Sequence, residues 1–175
     1  GFGPVMVMGA HYVLTASIHN NVISQWNWVE ALIASVLIAI LVMLIVWINQ
    51  FQDAPSDAAV GKNTWVVRTA EKGEWMKLEK PLRLYKQFMI EAFVAVAMVG
   101  TLSFFTDFGT VYAFMALIPL ALVWKAFKMA DEWMIKWNNP NADRQKVPYE
   151  LLLVNVSTIG IHFLTGILLA VAYIL

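Results

Sequence analysis

The chain has 175 residues, is 60% hydrophobic and only 14% charged, against roughly 25% charged in an ordinary soluble domain. Its 12 basic and 12 acidic side chains cancel, and it has no cysteine. These figures exclude a disordered chain, a nucleic-acid binder resting on net positive charge, a disulfide framework and a thiolate metal site, and they point away from a water-soluble globule.

The spacing of charge then divides the chain into apolar runs. Residues 1–29 hold no Asp, Glu, Lys or Arg, and after Glu30 a second uncharged run covers 31–52. At about 1.5 Å per residue the second run is long enough to cross the ~30 Å core of a bilayer. Two shorter runs, 92–106 and 108–124, flank Asp107, and a last one extends from Leu151 to Leu175. The polar ends Gln87, Glu91, Lys125 and Lys128 can snorkel and lengthen the middle two. The pattern predicts an all-α, multi-pass transmembrane helix bundle, a single domain over 1–175, with five helices at about 2–18, 29–51, 87–106, 109–128 and 149–175. Thr106-Asp107-Phe108-Gly109 is the tight turn between the third and fourth, and Pro119 is expected to kink the fourth.

The basic residues test this count independently. Lys62, Arg68, Lys72, Lys77, Lys80, Arg83 and Lys86 follow the second helix; Lys125, Lys128, Lys136, Arg144 and Lys146 surround the end of the fourth. With five crossings both groups fall on one side, which the positive-inside rule reads as cytoplasmic. The expected protein is therefore integral to an inner or plasma membrane, with its C-terminus outside. Trp26 and Trp28 would form an aromatic belt at the far interface, and Trp124, Trp133 and Trp137 one at the cytoplasmic interface. The chain opens on Gly-Phe-Gly-Pro, with neither an initiator Met nor a basic leader, and is expected to be the C-terminal part of a longer protein.

The informative polarity lies in a cytoplasmic loop over 52–86 and in the helix end leading into it. Asn49, Asp53 and Asp57 are spaced by four, which on helical backbone gives three oxygen-bearing side chains a common face. Carboxylates with room for waters and a phosphate suit Mg²⁺. Lys62 and Arg68 follow and can neutralise phosphate oxygens. Two carboxylates and two cations have the composition of a diphosphate site. The same residues also fit a plainer role, in which Asp53 caps a helix restarting at Pro55, Asp57 favours its first turn, and the cations are ordinary cytoplasmic charges.

The series Asn49, Asp53, Asp57, Gly61, Lys62, Thr64, Val67 and Arg68 resembles the second aspartate-rich motif of the UbiA superfamily of intramembrane prenyltransferases. Its Gly-Lys-x-Thr-x-x-Val-Arg tail is most similar to dihydroxynaphthoate polyprenyltransferases of menaquinone synthesis. Weaker similarities lie at Gly3–Tyr12 and at His162–Leu169. The resemblance implies that the five helices correspond to the second half of a nine-helix UbiA-type fold. It implies Mg²⁺-dependent transfer of a polyprenyl group from polyprenyl diphosphate to an aromatic acceptor, dihydroxynaphthoate first. Asp53 and Asp57 are then the metal-binding and catalytic residues, and Asn49, Lys62 and Arg68 bind diphosphate. The first aspartate motif of the family is absent, so half of the ligands would come from N-terminal helices outside this chain, which is not expected to act alone. Another acceptor (a hydroxybenzoate, a chlorin or glycerol phosphate) and a non-catalytic five-helix membrane subunit are the alternatives.

Three further patterns carry expectations. The stretch 69–86 alternates charge with Trp75, Met76, Leu78, Leu82, Leu84 and Tyr85, as an interfacial helix over the site or a plain connector would, interrupted at Gly73 and Pro81. Asn155, Thr158 and His162 share a face of the last helix and are expected to form interhelical hydrogen bonds. His11 and His19 offer no metal pattern, and Gly61-Lys62 lacks the upstream glycine of a phosphate-binding loop.

Overall fold

The computed structural model describes residues 2–18, 28–70, 76–107, 109–143 and 146–175, and for 2, 14–18, 28 and 30 the backbone alone. The expectations attached to His19, Trp26, Lys72, Gly73, Trp75, Phe108 and Arg144, and to the side chain of Trp28, lie outside the described residues. Every regular element that is described is helical: α1 (Phe2–Ile18), α2 (Trp28–Ala59), α3 (Trp65–Thr69), α4 (Glu79–Leu102), α5 (Leu120–Trp137) and α6 (Leu152–Ile174). Short 3-10 segments at Val111–Leu117 and Val147–Leu151 lead into α5 and α6. Among the described residues three stretches are long and apolar enough to cross a membrane: Ala31–Ala59, Val111–Trp137 and Val147–Ile174.

α2 is the organising element. Leu37, Leu41, Leu44, Ile48 and Phe51 recur at steps of three and four and are buried on one face, as 3.6 residues per turn requires. α1 packs on α2, and α4 and α6 also lie against it. Gly3 permits the close approach of α1, because a Cβ there would collide with Ala39 and the Ser35 carbonyl. Large apolar side chains are also exposed on several elements, among them Val46, Phe105, Trp124, Ile135 and Phe163.

Several boundaries differ from those expected. α4 begins at Glu79 rather than near 87, and Pro81 does not interrupt it. A first-turn residue has no intrahelical acceptor for its N–H, so proline is harmless there. The described part of 69–86 is accordingly divided between the end of α3 and the start of α4, and forms no separate interfacial helix. α4 ends at Leu102, so the turn toward the next segment is longer than the four residues expected. Pro119 separates a 3-10 segment from an α-helix.

The expected cytoplasmic aromatic belt is also corrected. Of its three members, Trp124 is exposed, while Trp133 and Trp137 are buried. They stack on each other with ring centroids 5.5 Å apart, and Phe51 meets Trp133 edge-on at 5.9 Å. Each indole N–H donates to a backbone carbonyl: Trp133 to Val147 at 2.7 Å, Trp137 to Met76 at 2.7 Å. A buried indole needs an acceptor, and the carbonyls before α4 and α6 supply it. Lys86–Asp131 and Lys136–Glu150 (2.6 Å) link helices at the same end.

Candidate functional site

The site residues of the sequence lie at the polar end of α2 and in the turn beyond it. α2 runs without a break through Pro55 to Ala59, so Asp53 is inside a helix and caps none. Pro55 withholds an N–H from the Phe51 carbonyl, but Phe51, Ala54 and Asp57 are all buried and hold the turn in place. The Ser56 hydroxyl adds a donor to the Asp53 carbonyl at 2.9 Å.

The helix ends by a specific device. Gly61 has φ +71°, the left-handed conformation that a Cβ disfavours. Lys62 N–H donates to the Asp57 carbonyl at 2.8 Å and Gly61 N–H to the Ala58 carbonyl at 3.1 Å, the paired bonds of a Schellman closure. This turn brings the Lys62 ammonium back onto Asp57 Oδ1 at 3.0 Å. Lys62 remains largely exposed, whereas Asp57 is nearly buried. Asp57 Oδ2 is buried without a hydrogen-bond partner, as is the Thr64 hydroxyl across the turn.

The five expected site residues fall into separate settings. Asp57 and Lys62 form one unit. Asp53 is exposed one turn earlier on α2. Asn49 accepts a hydrogen bond from the side-chain amide of Asn155 on α6 at 2.7 Å, so its oxygen is already used between helices. Arg68 is exposed on α3 and lines a groove with Met43, Trp47, Trp65, Leu84 and Phe88. Helical spacing grouped Asn49, Asp53 and Asp57, and the unbroken α2 keeps that order along one side; their partners differ, and Arg68 lies on another element.

Chemically, Asp53 and Asp57 offer carboxylates one turn apart. One is open to solvent, and the other has an oxygen neutralised by Lys62 and a second oxygen unpartnered. That donor set fits an oxygen-loving divalent cation that keeps several waters. Among the described residues no three His, Cys, Asp or Glu side chains come together to hold a metal ion.

Two features escaped the sequence reading. Gln50 Oε1 accepts from the Val66 N–H at 3.2 Å, acting where the α3 N-cap residue Thr64 makes no side-chain bond. Its signal was a glutamine one step inside the apolar end of α2. The aromatic groove was marked by Met43 and Trp47 on α2 and by Leu84 and Phe88 on α4, both pairs four apart. Neither pair indicates which helix it will face.

Fold and surface together define the coarse class: among the described residues the regular structure is all helical, and three stretches are long and apolar enough to cross a membrane. Comparison of the chain with protein-family models, curated proteins and solved structures found no match.

Proposed function

We propose that the chain is the second half of an intramembrane, Mg²⁺-dependent prenyltransferase that moves a polyprenyl group from its diphosphate to an aromatic acceptor, dihydroxynaphthoate first. The observation that carries this reading is the pair Asp53 and Asp57, one turn apart on an unbroken helix, with Lys62 seated on the second. The resemblance of residues 49–68 to the UbiA aspartate motif supports it. Five membrane crossings, with both basic loops and the site cytoplasmic, belong to the same reading and rest on the charge distribution.

In this reading Asp53 and Asp57 hold Mg²⁺, the unpartnered Asp57 Oδ2 being the buried oxygen available to it. The bound cation would supply positive charge against the diphosphate. Lys62, exposed beside Asp57, steadies the charge that grows on diphosphate as the allylic C–O bond breaks. A new bond forms to the ring carbon, which then loses a proton or its carboxylate as CO₂. The apolar lengths of the helices, together with the bilayer, would keep water from the allylic carbon. Arg68, turned to the aromatic groove, is not needed for these steps.

The second reading is a non-catalytic membrane subunit. The Schellman closure at Gly61 and the Asp57–Lys62 contact favour it, since a scaffold helix needs the same ending. Membranes carrying the native gene product separate the two, given labelled polyprenyl diphosphate, Mg²⁺ and a panel of aromatic acceptors. Product that disappears with chelator, in Asp53→Asn and in Asp57→Asn supports the transferase. No product with any acceptor overturns it in favour of the subunit.

A further inference from the structure

The groove between α2, α3 and α4 encloses about 390 Å³. Trp47 forms its floor, with the Trp65 ring 5.7 Å away at 58° and the Phe88 ring 6.0 Å away at 68°. Trp47 is held in place by an indole hydrogen bond to the Pro81 carbonyl at 3.2 Å, which ties the floor to the first turn of α4. Met43 and Leu84 complete the apolar lining. The Thr69 hydroxyl at the margin is consumed by the Trp65 carbonyl at 2.7 Å. Arg68 is different: it is exposed at the groove, and its side chain has no hydrogen bond or ion pair among the described residues.

We propose that this groove is a binding site for an anionic glycerophospholipid, its phosphate on Arg68 and the upper part of a chain against Trp47, Trp65 and Phe88. The position along α2 supports the assignment. Met43 to Ile48 is apolar, and Asn49, Gln50, Gln52 and Asp53 follow at once, so the groove straddles the change from hydrocarbon to headgroup. Tryptophan and arginine are suited to that depth, the ring by its mixed polarity and the guanidinium by its fork of donors. Exposed Lys80 and Arg83 on the first turns of α4 add to a positive field that draws anionic lipid. A free phosphate would leave the aromatic lining unused, and a zwitterionic phospholipid would bring its own ammonium to offset the phosphate charge that Arg68 attracts. The groove is open on one side, so the rest of the lipid lies in the bilayer.

The test is native mass spectrometry of the full chain released from detergent containing equal amounts of phosphatidylglycerol and phosphatidylcholine. Wild type is expected to retain phosphatidylglycerol preferentially. Arg68→Gln should lower the ratio of the two retained lipids about fivefold, while Arg68→Lys keeps most of it. Arg68 is exposed, so neither variant should unfold the protein. Trp65→Ala, at a half-exposed ring, should lower retention of the bound lipid. An unchanged ratio in Arg68→Gln, an equal fall in Lys80→Gln/Arg83→Gln, or full retention in Trp65→Ala would each overturn the site. These outcomes do not depend on prenyl transfer, so this site and the proposed activity fail separately.

Discussion

The side-chain amide of Asn155 donates to Asn49 Oδ1 across 2.7 Å, tying α6 to α2 at the point where α2 turns polar. Asn155 is buried, and its own Oδ1 has no partner, so the contact satisfies only part of it. Asn49→Ala leaves the buried amide wholly unpaired and should destabilise the protein by about 1 kcal/mol. The Asn49→Ala/Asn155→Ala double variant should lose less than the sum of the single losses. Unfolding midpoints in mixed micelles give both quantities.

Tyr85 and Thr158 meet at 2.7 Å in the interior. The Thr158 hydroxyl also lies 2.8 Å from the Val154 carbonyl, which can only accept. Its one proton goes there, so Tyr85 is the donor and Thr158 the acceptor. The two truncations are therefore unequal. Tyr85→Phe removes a donor and leaves Thr158 bonded to Val154, costing about 1 kcal/mol or less. Thr158→Val strands a buried phenol and should cost about 1–3 kcal/mol. Equal losses in the same unfolding assay would contradict the assigned direction.

Gly61 is required by backbone conformation rather than by any ligand. A Cβ there meets no atom, yet φ is +71°. Gly61→Ala should lower stability by about 1 kcal/mol through left-handed strain alone. The check is thermal unfolding of the purified variant. Gly61→Asn, which tolerates that conformation better, should recover part of the loss.

Asp53 and Asp57 should separate activity from stability. The Asp53 carboxylate is exposed without a partner among the described residues, so Asp53→Asn should leave the melting temperature within error and, on the proposed function, abolish Mg²⁺-dependent prenyl transfer. Asp57 is nearly buried and holds Lys62, so Asp57→Asn should lower both. An Asp53→Asn variant with full transfer rate would remove Asp53 from the proposed metal site.

Part of this was legible beforehand. The buried face of α2 follows the period of its leucines, whereas its end near Gly61 lies eight residues beyond the boundary at 51 that charge and polarity indicated. The passage of α2 through Pro55 was not legible, because a proline inside a helix costs about 3 kcal/mol and local rules stop the helix there. Burial of Ala54 and Phe51 around that turn offsets the penalty, and only packing reveals it. Trp133 and Trp137 suited an interfacial belt by position, but their indoles face inward because the carbonyls of Val147 and Met76 wait there.

The sequence by itself determined the helical class, the long apolar stretches and the segregation of basic residues into two stretches, 62–86 and 125–146. These depend on composition and on periods of a few residues. Only the tertiary structure decided which polar groups meet. Asn49 finds Asn155 across 106 positions and Tyr85 finds Thr158 across 73. Helical periodicity reports the face on which a side chain lies, but its neighbour depends on how separate helices pack. For that reason Asn49, placed beside the aspartates by spacing, is bonded to Asn155 of α6, and Arg68, joined to them by the motif, lies on the aromatic groove.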